Sequence, residues 1–194
     1  MPYIYCKNTR MLDVNLQPFP ILSTPRLTLR AVNFGDAEAI FAMRTDAEVL
    51  KYIDIERPKS IEAVIDWIKM THEIHKKNDG VLWGITLKGS EEMLGSIGFW
   101  NMDKANHRTE TGYMLATAWQ GKGIMQEALT EAIKYAFETI GLHSIQANIN
   151  PANKASMNLL ERTGFVREAY FRENYYYKDK FLNSAVYSLI TTKK

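Results

Sequence analysis

A single cysteine, Cys6, stands in this chain of 194 residues. No internal disulfide can form, and no Cys/His cluster has the spacing of a metal site, so the expectation is a reducing, cytoplasmic setting and no bound metal. No run approaches the roughly 18 apolar residues of a membrane span, and the first residues lack a continuous apolar core behind their basic residues. Neither membrane insertion nor export is therefore expected. Charge of one sign is scarce too: 24 Lys and Arg against 22 Asp and Glu leave +2, too little to mark a nucleic-acid binder. Also missing are the Gly-x-Gly-x-x-Gly and Gly-x4-Gly-Lys-Ser/Thr phosphate motifs, internal repeats and low-complexity stretches. His72 and His75 lie three apart on a predicted helix, but Glu73 points off their shared face and no thiol is near, so they read as a solvated helix face.

What is present is a hydrophobic share of 46% over a length typical of one domain. The chain is organised around residues 109–136: a strand over 110–115, the loop Trp119-Gln120-Gly121-Lys122-Gly123, then a long helix. Met125, Ala128, Leu129, Ala132, Ile133 and Ala136 recur at three- and four-residue spacing, giving that helix one face to bury. Gly121 and Gly123 remove the β-carbons that would hold an anion away from the backbone, and the helix start offers unpaired N–H groups and its dipole. Lys122 adds a cation. This is the pattern of a phosphate cradle; the plainer alternative is a glycine loop that only ends a core helix.

Around it, Leu27, Leu29 and Ala31 alternate with polar residues as in a half-buried strand. Asp36 stands at an N-cap position before a helix at 37–43, and a second short helix is expected over 47–52. Ser60 precedes the stripe Ile61, Val64, Ile65, Ile68 of a further helix. Strands over 81–87, 93–100 and 110–115 form a meander, and a strand over 144–149, beyond a helical crossover, should lie parallel to its neighbour at 110–115. Asn153 caps a helix ended by Gly164, and two strands close the chain, with their aromatics expected in the core. Residues 1–20, with Pro2, Pro18, Pro20, Tyr3, Tyr5 and Phe19, read as an extension that lies against a single domain at 21–194 or is partly disordered.

Gln120-x-x-Gly123-x-Met125 at a strand-to-helix junction resembles the Gln/Arg-x-x-Gly-x-Gly/Ala signature of the GNAT superfamily of acetyltransferases. Met125 departs from the small residue usual there. The segment from Asn150-Pro151-Ala152-Asn153 through Ser156 to Gly164-Phe165, and the opening Thr24-Pro25-Arg26-Leu27-Thr28-Leu29-Arg30, resemble the branch that acetylates N-termini of ribosomal proteins. The resemblance implies an α/β fold: a mixed, mostly antiparallel twisted sheet with a splayed parallel strand pair and helices on both faces. It implies acetyl-CoA as co-substrate, its pyrophosphate held by Gln120, Gly121, Lys122, Gly123, Ile124 and Met125, its arm by Tyr113, Met114 and Leu115, with Asn150 and Asn153 also at the coenzyme. Glu110 is the implied base, or else a charge that pairs with Arg108, and Ser156 the implied proton donor to the departing thiolate. Arg44, Trp100 and Asn101 are candidates to touch the acceptor, and Tyr170, Tyr175, Tyr176 and Tyr177 to act as acids or pocket walls. The acceptor is then an amine, foremost a protein N-terminus, or a small amine such as a polyamine, amino acid or antibiotic; a non-catalytic acyl-CoA-binding domain is the third reading. Monomer and homodimer both remain open.

Overall fold

The computed structural model describes residues 11–192. In chain order the elements are β1 (Leu22–Ser23), β2 (Leu27–Ala31), α1 (Ala37–Thr45), α2 (Ile61–Lys76), β3 (Val81–Leu87), β4 (Gly95–Asp103), β5 (Arg108–Leu115), α3 (Ile124–Tyr135), β6 (Ser144–Ile149), α4 (Lys154–Arg162), β7 (Val166–Tyr177) and β8 (Lys180–Ile190). They build one mixed sheet in the order β1-β2-β3-β4-β5-β6-β8-β7. Every pairing is antiparallel except β5 with β6, which the crossover through α3 makes parallel.

Both faces of the sheet are covered. On one, α1 and α2 bring Ala37, Ile40, Met43, Val64 and Ile68 against Val32 and Met93. On the other, Ala128, Leu129 and Ala132 of α3 are fully buried among Leu27, Trp83, Ile97 and Phe99, and Leu160 of α4 joins them. Each large apolar side chain removed from water there contributes about 1.5–3 kcal/mol, so α3 is fixed by its packed face rather than by a cap. The Trp83 indole meets Phe99 and Tyr135 edge-on and donates its N–H to the Pro20 carbonyl at 2.7 Å.

Residues 11–20 lie against the domain, with Leu16 1% exposed and its N–H donating to Asn78 Oδ1. Tyr3, Tyr5 and Cys6 fall outside the described residues. His75 is what this segment docks on. Its Nε2 lies 3.0 Å from the Leu16 carbonyl and its ring against Phe19, while His72 Nε2 reaches the Val32 carbonyl at 2.7 Å. The solvated face expected for this pair is thus replaced by two backbone anchors.

Other expectations give way to stronger local partners. Asp36 does not cap α1; it accepts from the Asn33 N–H and from the two terminal guanidinium nitrogens of Arg30, at 2.8 Å each. Residues 47–52 form turns rather than a helix, because Asp46 Oδ1 accepts from the Glu48 N–H and holds the chain in a local turn. On the β7–β8 hairpin, Tyr170, Phe171, Tyr176 and Phe181 are between 47% and 64% exposed. Being in a strand put them on a pleated surface, and β7 is the outermost strand of the sheet.

Candidate active site

The parallel pair β5–β6 is joined through only three rungs, Arg108 to Ser144, Thr109 to Ile145 and Glu110 to Gln146. Beyond these the strands part. Each continues on its outer partner, β5 through Leu115 on Gly95 of β4 and β6 through Ile149 on Ala185 of β8. The result is a wedge, and it opens a cavity of about 470 Å³ walled by Thr111–Met114 on one side and Ala147–Asn150 on the other. Strand backbone facing a gap carries donors and acceptors that require partners from a ligand or water.

At the C-terminal end of β5 the chain turns through Thr117–Trp119 into the glycine loop. Gly121 and Gly123 both adopt left-handed backbone, at φ +72° and +74°, and no atom lies within 4 Å of where a β-carbon on Gly121 would sit. α3 begins directly after Gly123 with no side-chain cap, so its first N–H groups remain available to an anion. The side chains of Ile124 and Met125 point into the core, 3% and 8% exposed, leaving only their backbone toward the loop. Gln120 folds back, its amide donating to the Leu115 carbonyl at 3.0 Å, and Lys122 lies over the Trp119 ring. From outside the loop, Arg26 donates to the Lys122 carbonyl at 3.1 Å and to Glu127 at 2.6 Å. Glu127 also accepts from the Thr24 hydroxyl and the Arg26 N–H. Burial opposes the charge on Glu127, but these hydrogen bonds outweigh it and its pKa is lowered. These features fit a diphosphate: open space at Gly121, unpaired helix N–H groups, and a loop braced from behind.

Inside the wedge, Ser156 at the start of α4 is 6% exposed and its hydroxyl lies 2.7 Å from the Tyr113 hydroxyl. Asn153 caps α4, its Oδ1 accepting from the Ser156 N–H at 3.0 Å, and so fixes the serine's position. Burial pushes the Tyr113 phenol up to about 12, with the Ser156 hydrogen bond pulling the other way, so Tyr113 keeps its proton at neutral pH. The far wall is built by α1, α2 and the 52–55 loop: Ile40, Met43, Arg44, Tyr52, Asp54 and Trp67. The β7 residue Tyr175 closes it, donating its hydroxyl to Asp54 at 2.6 Å, and Tyr177 donates to the Ile55 carbonyl. Burial and then the Asp54 carboxylate raise the Tyr175 pKa, so this phenol is a fixed donor.

Residues 26–166 match the family model described as an acetyltransferase (GNAT) domain, well over half of the chain. The chain belongs to the GNAT acetyltransferases. This acetyltransferase is 34% identical over 176 residues to the N-acetyltransferase YoaA of Bacillus subtilis, covering 91% of this chain and 99% of that one. It is also 34% identical over 157 residues to the [ribosomal protein uS5]-alanine N-acetyltransferase of Escherichia coli, covering 78% and 81%. Among solved structures its fold matches RimL, a ribosomal L7/L12 α-N-protein acetyltransferase in complex with coenzyme A, at a TM-score of 0.81 with 20% identity over 90% of this chain and all of that one. It matches spermidine N-acetyltransferase of Vibrio cholerae, in complex with coenzyme A and spermine, at 0.77 with 20% identity over 88% and 98%.

The acetyltransferase collects the residues singled out from its sequence into two places. Tyr113, Met114, Asn150, Asn153 and Ser156 wall the wedge, joined by Arg44, Trp100 and Tyr175. Gln120, Gly121, Lys122 and Gly123 form the loop at its end and Ile124 and Met125 the first turn of α3, with Leu115 between the two groups. Glu110 stands at the last rung before the strands part, opposite Trp100 of β4, and is not among the cavity's walls. Its proposed ion pair with Arg108 is not formed; Arg108 lies 3.4 Å from Asp103. Asn101 is exposed and also lies outside the walls. Sequence reasoning missed Asp54, Tyr52 and Trp67. Asp54 sits in an aperiodic stretch, and only its meeting with Tyr175, 121 positions away, marks it out. Among the described residues no group of three or more His, Cys, Asp or Glu could hold a metal ion, and no helix is long and apolar enough to cross a membrane.

Proposed function

We propose that this acetyltransferase carries the acetyl group of acetyl-CoA to the α-amine of a protein N-terminus, of the kind found on ribosomal proteins, by direct attack in a ternary complex. The observation that carries the reading is that Asp54 is the one carboxylate among the cavity's described wall groups. One carboxylate matches one ammonium, whereas a polyamine presents several and calls for a more acidic cleft. The uS5-alanine relative supports the same acceptor class. A cytoplasmic location goes with this reading.

The α-amine suits the chemistry. With a pKa of about 8 it is roughly one-tenth neutral at pH 7, where a lysine amine is neutral less than about one part in a thousand. The donor's diphosphate sits at Gly121–Gly123 and the start of α3, and its arm lies along β5 at Tyr113, Met114 and Leu115, with Asn150 and Asn153 across the wedge. The amine nitrogen attacks the thioester carbonyl carbon. A β5 backbone N–H takes the developing oxyanion, an effect worth ~3 kcal/mol per donor. The C–S bond then breaks. Glu110 receives the proton leaving the amine through water, and Ser156, backed by the protonated Tyr113, gives a proton to the sulfur and regains one from solvent. The products are the acetylated amine and the free coenzyme A thiol. Most of the rate comes from holding amine and thioester together.

The test incubates the protein and acetyl-CoA with peptides beginning in Ala or Ser, the same peptides with blocked N-termini, spermidine, and an aminoglycoside. Acetylation of the free peptide α-amines, located by tandem mass spectrometry, is the expected result. Turnover of spermidine or the antibiotic with none of the peptides overturns the acceptor assignment; tight coenzyme A binding with no amine acetylated overturns the enzyme reading in favour of an acyl-CoA-binding domain.

A further inference from the structure

Among the described residues, Arg30 and Arg44 are the two arginines that are partly buried rather than exposed. Arg30 is neutralised by Asp36 through two bonds of 2.8 Å. Arg44 is not. Its Cζ lies over the Trp67 ring, 4.6 Å from the ring centroid, and it lines the acceptor half of the cavity. No hydrogen bond or ion pair holds its nitrogens among the described residues. Burial is the sole influence on its pKa, which it lowers, as expected of a desolvated cation without a counter-ion. Neither Asp46, which accepts from the Glu48 N–H, nor Asp54, which accepts from Tyr175, forms an ion pair with it. A guanidinium held over an indole ring by cation–π attraction still has its planar N–H fork free for a two-point acceptor.

We infer that Arg44, held on Trp67, is a carboxylate-recognition point in the acceptor cavity, so that the acceptor carries a carboxylate as well as the amine that is acetylated. This rests on the acceptor being a protein N-terminus and deepens it: the preferred N-terminus has an acidic side chain close behind the reactive residue. Arg44 and Asp54 then bracket the acceptor with opposite charges, one for its carboxylate and one for its ammonium, which sets the direction in which the chain enters. A bidentate, charge-assisted pair in a partly desolvated site is the strong kind of hydrogen bond, and a Gln isostere cannot reproduce it.

The experiment measures kcat/KM for peptides that begin with Ala and carry Glu, or Gln in its place, at the second, third or fourth position. Wild type should favour Glu at one of these positions by roughly tenfold or more, expressed in KM. In Arg44→Gln the Glu-to-Gln ratio should fall to about one, and Arg44→Lys should retain part of it. Titration of the coenzyme A-loaded wild-type protein with the same peptides, and with free glutamate and glutamine, reads the subsite without turnover or a variant. Equal affinity for each Glu and Gln pair, or a preference that survives in Arg44→Gln, overturns the inference while leaving N-terminal acetylation standing. An Arg44-dependent preference for free glutamate with no peptide bound or acetylated supports the subsite and overturns the protein acceptor.

Discussion

Arg26→Ala should weaken acetyl-CoA binding without slowing the chemistry. Arg26 lies outside the wedge, and its side chain touches the loop at one point, the Lys122 carbonyl, and α3 at another, the Glu127 carboxylate. That side chain is 49% exposed, so the ion pair is worth about 0.2–1 kcal/mol rather than a buried pair's value. The bond to Lys122 adds about 0.5–1.5 kcal/mol. α3 itself should stay put, because Glu127 still accepts from Thr24 and from the backbone N–H of residue 26. The loss of about 1–2 kcal/mol then falls on the order of the loop, which the donor must restore on binding, and Kd rises by roughly 5- to 30-fold. Isothermal titration with acetyl-CoA reads the Kd, and saturating kinetics read kcat, which should match wild type. A Kd indistinguishable from wild type, or a fall in kcat at saturation, refutes the reasoning.

Ser156→Ala should lower kcat roughly tenfold to a hundredfold with acetyl-CoA affinity retained, whereas Tyr113→Phe, which removes one hydrogen bond behind the serine, should cost about 1 kcal/mol, roughly fivefold; steady-state kinetics check both. Trp100 indole atoms occupy the place where a β-carbon on Gly112 would sit, so Gly112→Ala should displace the ring from the cavity wall and raise the acceptor KM while the acetyl-CoA Kd holds. Burial lowers the pKa of His75 in the folded state, outweighing its bond to the Leu16 carbonyl. The unfolded chain therefore binds the extra proton: stability is full above the unfolded value of about 6.5 and declines as pH falls from there toward the lowered folded value. Thermal melts between those limits should show a shallower decline in His75→Gln, and a parallel decline refutes the assignment.

What the sequence disclosed follows the range of its physics. Two-residue and four-residue periods report which face of an element is apolar, and from these the alternation of β2 and the stripe of α3 were legible; the parallel setting of β6 was legible from the helical crossover before it. The glycines at 121 and 123 were legible because a required backbone conformation restricts residue type. Partners distant in sequence leave no such mark. Nothing local to Arg44 announces Trp67, and nothing near His75 announces Leu16, so the ring under Arg44 goes unread and His75 reads as part of a solvated face. The exposed aromatics of β7 and β8 show the converse limit: strand preference measures fit to a pleated surface and is silent on whether anything covers it.

The three rungs between β5 and β6 divide the molecule into two leaves, β1 to β5 and β6 to β8, that share a spine only at one end. Main-chain bonds forgone along the open edges are bonds held in reserve for whatever enters. A donor bound in that gap, as proposed, would serve as a temporary strand and stitch the leaves into one sheet. Occupancy and rigidity should therefore rise together, and amide exchange along Thr111–Leu115 and Ala147–Ile149 would slow as the cleft fills.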